Sequence, residues 1–246
     1  MLYHIRPWKV FDLVEEQSAL KRGIWMKLPK RRISEFADYS LRSLELELLA
    51  AALMITRARV VFEIGTFCGN TTLHLAANSQ DCEVFTLDAP EEVLEKARLT
   101  EGYSGPPAAN LAELYEWRKQ FPMEFAGTPW EKKIICLKGD SRTFDFSRWY
   151  DSVDVVLIDG DHSREAVDAD SWNAYRMARP NRGIIAWHDY GNPDCRENTE
   201  VIELLGALNK DRPLFHVEDS MLVFEFMNPA HAEALLAMGQ PSEVTA

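Results

Sequence analysis

The feature that most constrains the fold is a repeated alternation of short apolar runs with helix-like segments. The runs are apolar throughout instead of alternating polar with apolar, which is typical of strands in a parallel sheet covered on both faces. They are RVVFEIGT, CEVFTLD, KIICLKGD, VDVVLID, RGIIAWHDY, PLFHVED and SMLVFEF. We therefore predict an α/β fold of the doubly wound, Rossmann-like kind, with a seven-stranded sheet and helices on both faces.

The last two apolar runs are separated by only two or three residues, around Asp219 and Ser220. A connection this short permits an antiparallel hairpin but not a parallel crossover. The predicted sheet is therefore mostly parallel, with one antiparallel strand near an edge.

The change of residue pattern along the chain also predicts its division into segments. Residues 1–58 are expected to be a mostly helical N-terminal appendage, and residues 59–228 the main domain. Residues 100–133 are longer than an ordinary connection, so we interpret them as an insertion that shapes a substrate pocket. Residues 229–246 are expected to be a C-terminal tail.

Composition excludes several classes of function. The net charge of −12 disfavours nucleic acid and anionic membrane surfaces as partners. No apolar run is long enough to span a membrane, and the N-terminus lacks the apolar centre of a signal peptide. The four cysteines are scattered and form no C-x-x-C pair, so we expect reduced core thiols in a cytoplasmic protein.

Polar residues follow the predicted strands at the edge of the sheet where such folds bind ligands. The first strand runs into the turn EIGTFCGNTT, in which three residues separate Gly65 from Gly69. This spacing differs from the G-x-G-x-x-G of dinucleotide-binding proteins and argues against a nicotinamide dehydrogenase. Asp88 ends the second strand, where a carboxylate can accept both hydroxyls of a ribose. A plain strand-to-helix turn and a helix N-cap ahead of Pro90 are the alternatives.

The fourth and fifth strands end in LIDGDHS and in WHDY. Two carboxylates on neighbouring strand ends suit a Mg²⁺ site, and a cation there would lower the pKa of a substrate hydroxyl. A nearby imidazole could then take the proton. The alternatives are that Asp161 and His162 cap the helix beginning at Ser163, and that His188 is a buried histidine bonded to the backbone.

The segments FEIGTFCGNTT, VFTLD, LKGDS, LIDGDHS and GIIAWHDY resemble the successive motifs of class I S-adenosylmethionine-dependent methyltransferases. The similarity is greatest to the metal-dependent O-methyltransferase branch, with its small-molecule and sugar-modifying members, and covers Arg59 to Met227. It implies methyl transfer from S-adenosylmethionine to a hydroxyl of a small molecule or sugar, with a divalent metal, expected to be magnesium. A homo-oligomer is compatible with the apolar N-terminal helix.

The resemblance also implies roles for individual residues. The cofactor's methionine part is assigned to Glu63, Gly65, Thr66 and Gly69, its ribose to Asp88, and its adenine to Gly139, Asp140 and Ser141. Asp159 is assigned to the cofactor pocket, to the metal and to catalysis, and His162 is the expected general base. His188 and Asp189 are the remaining metal ligands. Catechol-type relatives have Asp-Asn at this pair, so His-Asp is a departure that resembles the branch acting on sugars and natural products.

Two further interpretations stay open on the sequence. One related fold carries a hydroxylase, so a metal-dependent oxygenase is an alternative to a transferase. A non-catalytic S-adenosylmethionine-binding protein is the other, although Asp159, His162 and Asp189 are all present.

Overall fold

The fold is known from a computed structural model that describes residues 1–17, 26–29, 41–90, 119, 122–208 and 212–238. Within these ranges the strands are β1 Leu2–Ile5, β2 Val60–Ile64, β3 Glu83–Asp88, β4 Ile134–Lys138, β5 Val155–Ile158, β6 Ile184–Trp187, β7 Leu214–Val217 and β8 Val223–Phe226. The α-helices are α1 Pro7–Gln17, α2 Ser43–Thr56, α3 Asn70–Asn78, α4 Arg164–Met177, α5 Arg196–Leu208 and α6 Pro229–Met238.

All eight strands form one sheet, in the order β1-β7-β8-β6-β5-β2-β3-β4. Every neighbouring pair is parallel except those involving β8, which runs antiparallel to both β6 and β7. This confirms the doubly wound, mostly parallel sheet with one antiparallel strand.

The predicted count of seven strands is one too low. The eighth strand, β1, lies in the segment expected to be helical, and it pairs with β7 in the register Leu2↔Leu214 to Ile5↔Val217. A strand of four residues is too short for its alternation of side chains to be recognised in the sequence. It therefore could not be distinguished from the start of α1. The N-terminal segment is therefore part of the sheet as well as of the helical layer.

Helices cover both faces of the sheet, as predicted. On one face α1, α2, α3 and α6 pack on β-strand residues such as Val61, Leu157 and Phe224. On the other face α4 and α5 pack on residues such as Phe62, Val156 and Ile185. The side chains of β5 and β6 are almost entirely removed from water, which agrees with their continuously apolar sequences.

The strand order reverses between β2 and β5. From β2 the chain adds β3 and β4 on one side, and it then returns to place β5 and β6 on the other. The carboxyl ends of β2 and β5, at Ile64 and Ile158, are neighbours in the register and therefore frame the crevice in which doubly wound sheets bind ligands.

Several predicted features differ or fall outside the described ranges. The helix predicted for residues 90–99 and most of the insertion at 100–133 lie outside them. Residues in the C-terminal segment form α6, whose Leu235 is buried in the core. Cys136, expected in the core, is exposed because β4 is an edge strand, whereas the other three thiols are buried; all four are free. None of the helices in the described ranges has the length and apolar character needed to span a bilayer.

Candidate active site

The glycine turn after β2 and the loop after β5 are in direct contact. A Cβ atom on Gly65 would lie 1.9 Å from the carbonyl oxygen of Asp159, and the backbone φ of Gly65 is +100°. A Cβ on Gly69 would lie 2.6 Å from the ring of Phe125. Both glycines are thus required by contacts within the protein itself, since no other residue leaves space for these neighbours.

Glu63 lies beneath this turn and organises the side chains around it. Its Oε2 accepts hydrogen bonds from Thr72 Oγ1 at 2.5 Å and from Thr86 Oγ1 at 2.6 Å. Thr86 in turn contacts Thr66 Oγ1 at 2.6 Å. Burial raises the pKa of Glu63 to about 8, with the charges of Asp159 and Asp88 adding to the effect. Its other oxygen, Oε1, is buried and has no partner among the described residues.

The other predicted cofactor residues sit on neighbouring strand ends and face cations of the protein. Asp88 Oδ2 accepts a hydrogen bond from Lys138 Nζ at 2.8 Å. Asp140 holds Arg142 through both carboxylate oxygens, at 2.9 and 2.7 Å, and this pairing lowers the pKa of Asp140. Gly139 is required because a Cβ there would lie 2.6 Å from the ring of Phe144.

Asn70, which sequence analysis did not assign to the cofactor, opens helix α3 directly after the glycine turn. Its side chain is buried, and neither its amide nitrogen nor its oxygen has a hydrogen-bond partner among the described residues. Buried amides are normally paired, so an unpaired one at the mouth of a ligand crevice fits a polar ligand that satisfies it. The unpaired atoms of Asn70 and Glu63 Oε1 therefore fit a polar cofactor that binds in this crevice and supplies their hydrogen bonds.

The three predicted metal ligands, Asp159, His188 and Asp189, lie together at the ends of β5 and β6. His188 Nδ1 lies 3.0 Å from Asp159 Oδ1 and 3.3 Å from Asp189 Oδ2. One donor atom from each of the three residues lies within 4.8 Å of the other two. Asp189 adopts a left-handed φ of 61°, a conformation that is uncommon outside glycine and that often marks functional sites.

The second nitrogen of His188 faces the N-terminal helix layer. His188 Nε2 lies 3.4 Å from Oε2 of Glu45, a fully buried residue of α2. Glu45 also accepts hydrogen bonds from the backbone N–H of Arg42 at 2.6 Å and of Met221 at 2.9 Å. Burial opposes protonation of His188, but the charge of Asp159 and the hydrogen bonds with the surrounding carboxylates raise its pKa well above the ordinary value.

His162, the predicted general base, is held through both ring nitrogens. Its Nε2 lies 3.0 Å from Asp189 Oδ2, and its Nδ1 lies 3.1 Å from Cys195 Sγ. Burial lowers the pKa of His162, but the hydrogen bonds to Asp189 and Cys195 outweigh this and raise it to about 10. Asp161, by contrast, accepts the backbone N–H of Ser163 at 2.8 Å, which agrees with the alternative that Asp161 serves the start of α4.

The structure thus brings Asp159, His162, His188 and Asp189 into one cluster, and it adds two residues that sequence analysis missed. Glu45 was hidden in a segment interpreted as an appendage, and Cys195 among cysteines interpreted as core. No local motif marks either residue, because both reach the site only through tertiary packing.

The donors of the first cluster fit a divalent cation. Two carboxylate oxygens and one imidazole nitrogen, each within 4.8 Å of the other two, form a mixed oxygen and nitrogen set that suits Mg²⁺ or Mn²⁺. Glu45 behind His188 supplies the carboxylate that commonly orients a metal-binding imidazole.

A doubly wound sheet with a glycine turn and a polar cluster at its reversal point agrees with the resemblance of the sequence to class I methyltransferases. The family model described as "Methyltransferase domain" matches residues 62–190, more than half of the chain. The chain therefore belongs to this methyltransferase family, and it is an enzyme. No curated protein matches the chain significantly.

Solved structures share the fold at low sequence identity. A Staphylococcus aureus protein, named provisionally as a caffeoyl-CoA O-methyltransferase, is 13% identical, with a TM-score of 0.54 over 89% of this chain and 97% of that one. An O-methyltransferase from Bacillus cereus, solved with S-adenosylhomocysteine, is 17% identical, with a TM-score of 0.46 over 89% of this chain and 90% of that one. The likeness to the Staphylococcus aureus protein agrees with the architecture described above.

Proposed function

We propose that this chain transfers the methyl group of S-adenosylmethionine to a hydroxyl of a small molecule or sugar, with the help of a divalent cation. The observation that carries the proposal is the convergence of Asp159, His188 and Asp189 beside the glycine turn of a methyltransferase-family sheet. The free thiols and the acidic net charge are in keeping with a cytoplasmic enzyme whose substrate is not a nucleic acid.

In this proposal the cofactor lies across the ends of β2, β3 and β4. Asn70 and the unpaired oxygen of Glu63 would satisfy polar groups of its methionine part, and Asp88 would accept the ribose hydroxyls. Asp88 already holds Lys138, so binding has to share or replace that ion pair. Gly139, Asp140 and Ser141 follow β4 and would border the adenine.

Asp159, His188 and Asp189 would hold the cation at the acceptor side of the crevice. A bound divalent cation supplies electrostatic stabilisation that lowers the pKa of a hydroxyl beside it. The acceptor oxygen forms a bond to the methyl carbon as the carbon–sulfur bond breaks, and the electron pair of that bond returns to sulfur. The products are the methyl ether and S-adenosylhomocysteine, and the hydroxyl proton passes to a base of the protein.

His162 is the proposed base, and the structure constrains how it can act. Both of its nitrogens are engaged, one by Asp189 and the other by Cys195. Because the pKa of His162 is raised to about 10, the ring has to release the proton on one nitrogen, and the contact at that nitrogen has to open, before a lone pair can face an acceptor. The retained contact then fixes the tautomer and orientation of the ring. Alignment of acceptor, methyl group and sulfur by the two loops would supply most of the rate enhancement.

The experiment that tests the proposal measures cation binding with a matched pair of variants. Asp159→Asn removes a proposed ligand charge, whereas Asp161→Asn removes a carboxylate that lies two residues away and serves the start of α4. Binding of Mn²⁺ is measured by electron paramagnetic resonance in the presence of S-adenosylhomocysteine. We expect tight binding to wild type and to Asp161→Asn, and a loss of at least about tenfold in affinity for Asp159→Asn.

Equal affinities of all three proteins would contradict the proposed ligand set, and an absence of Mn²⁺ binding to wild type would contradict metal assistance. Binding of S-adenosylhomocysteine, measured by calorimetry on the same samples, tests the cofactor separately from the cation.

A further inference from the structure

We propose that His162, Asp189 and Cys195 form a second cation site, one that contains a thiolate ligand and selects a thiophilic divalent metal such as Zn²⁺. We call these three residues the thiolate group. The site goes beyond the proposed methyl transfer, which uses only oxygen and nitrogen donors for its cation. An ion bound to His162 would take up a ring nitrogen, so it would compete with the proposed role of His162 as base.

The thiolate group is assembled from three separate stretches of chain. His162 follows β5, Asp189 follows β6, and Cys195 ends the 3-10 turn Pro193–Cys195 ahead of α5. The imidazole stands between the other two side chains, with Nδ1 3.1 Å from Cys195 Sγ and Nε2 3.0 Å from Asp189 Oδ2. Three donors of different chemistry therefore meet at one place.

A single residue, Asn192, fixes two members of the thiolate group relative to each other. Its Nδ2 donates to Asp189 Oδ1 at 2.8 Å, and its Oδ1 accepts the backbone N–H of Asp194 at 3.1 Å. The backbone N–H of Cys195 also bonds to the carbonyl of Asn192 at 3.0 Å. Asp189 keeps Oδ2 for the imidazoles while Oδ1 is anchored, so the carboxylate is oriented in advance.

The separations allow a tetrahedral site after small side-chain adjustments. One donor atom from each residue lies within 4.8 Å of the other two. A zinc ion with bonds of about 2.0 Å to nitrogen or oxygen and about 2.3 Å to sulfur places its ligands roughly 3.3–3.5 Å apart. The ion can use only one ring nitrogen, so either Cys195 or Asp189 has to turn toward it. Three protein ligands would leave the fourth position open to water or another small ligand.

The chemistry of the donors separates this group from the cluster of Asp159, His188 and Asp189. Asp189 Oδ2 is common to both, lying 3.0 Å from His162 Nε2 and 3.3 Å from His188 Nδ1. Only the thiolate group offers sulfur, which favours Zn²⁺ and Co²⁺ over Mg²⁺. Cys195 is 4% exposed and Asp189 7%, whereas the side chain of His162 is 30% exposed although its Nε2 is buried, so the donors lie just beneath the surface.

The test uses Co²⁺, because a cobalt–thiolate bond gives a near-ultraviolet charge-transfer band that oxygen and nitrogen ligands do not produce. The full chain, freed of metal and kept reduced, is titrated with Co²⁺. We expect a thiolate band that saturates at one ion per chain in wild type and is absent from Cys195→Ser. Cys136→Ser is the matched control, since Cys136 is the exposed thiol and the one most open to adventitious binding, and this variant should keep the band.

Two further variants keep the test decisive. His162→Asn leaves every thiol in place and should weaken Co²⁺ binding by at least about tenfold. Asp159→Asn should lose Mn²⁺ affinity but keep the cobalt–thiolate band, so that failure of the proposed methyltransferase site and failure of the thiolate group are told apart. Circular dichroism confirms that each variant is folded.

The inference is overturned if wild type shows no thiolate band, if Cys195→Ser keeps it, or if Cys136→Ser loses it. An unchanged Co²⁺ affinity in folded His162→Asn would also overturn the assignment of the imidazole.

Discussion

At the scale of single residues, the sequence predicted that Glu63 lies at the glycine turn, but it did not predict that its carboxyl group is buried. Its place in the first apolar run, together with the resemblance, assigned it to the cofactor, and it lies under the glycine turn. Its carboxyl is nevertheless completely buried and bonded to Thr72 and Thr86. No sequence pattern reveals that burial, because the helix and strand that enclose Glu63 come from elsewhere in the fold.

The raised pKa of Glu63 predicts a specific pH dependence of stability. Its pKa is about 8 in the folded protein and close to 4.5 when the chain is unfolded. Below pH 4.5 both states are protonated and no penalty arises, while between pH 4.5 and 8 the folded state keeps a proton that the unfolded state releases. Stability therefore falls as pH rises through that window.

Glu63→Gln removes this penalty while keeping a hydrogen-bonding oxygen. The free energy of unfolding of the variant, minus that of wild type, should increase from pH 5 to pH 8 by about 1–3 kcal/mol. Urea unfolding at both pH values measures the difference. A difference that stays constant with pH would show that Glu63 titrates as an ordinary carboxyl.

Glu45 supports a prediction about the cation. In Glu45→Gln the negative charge behind His188 is lost, and an amide N–H can face the imidazole instead of an acceptor, which favours the wrong tautomer. We expect Mn²⁺ affinity to fall about 10–100-fold while S-adenosylhomocysteine affinity is unchanged.

Glu47→Gln is the control for this prediction, because Glu47 lies on the same helix but is exposed. Equal Mn²⁺ affinities of the two variants would mean that Glu45 serves only α2 and the loop at Met221, not the metal ligand.

At the scale of elements, the structure confirms the strands predicted from the apolar runs and the predicted hairpin near the C-terminus. The apolar runs located all seven of the strands they were assigned to, and the hairpin of β7 and β8 followed from a connection too short for a crossover. The edge strand β1 was missed because its four residues pair only through a partner more than two hundred residues away. A local sequence pattern indicates whether a segment is buried and whether it is a helix or a strand. It does not indicate which edge of the sheet is open to a further strand such as β1.

The contact between the turn after β2 and the loop after β5 gives an element-scale prediction. Gly65→Ala forces a Cβ against the Asp159 carbonyl, whereas Gly191→Ala has a similar positive φ with no atom within 4 Å. We expect Gly191→Ala to cost about 1–2 kcal/mol for the left-handed conformation alone. Gly65→Ala should cost more, about 3 kcal/mol or above, because backbone must also move.

Urea unfolding of both glycine variants measures these costs. Equal destabilisation would mean that the turn after β2 and the loop after β5 separate easily. The prediction that these two segments are held rigidly together would then be wrong.

At the scale of the whole molecule, the alternation of strands and helices predicted a parallel sheet whose strand order reverses, and the observed order has that reversal between β2 and β5. The crevice at this reversal is where such sheets bind ligands. The alternation was not sufficient to predict that the N-terminal segment completes both the sheet and the site. Leu2–Ile5 extends the sheet, and Glu45 reaches His188 from α2. The segment interpreted as an appendage is therefore structurally continuous with the catalytic domain.

The most direct test of the central claim is the melting temperature of the chain with and without S-adenosylhomocysteine, with NADH as the comparison ligand. At about a hundred times its dissociation constant, a ligand that binds only the folded state adds roughly 2.7 kcal/mol. For a chain of this size we predict a rise of about 5–10 °C with S-adenosylhomocysteine and no rise with NADH. No rise with millimolar S-adenosylhomocysteine, or an equal rise with NADH, would contradict the account.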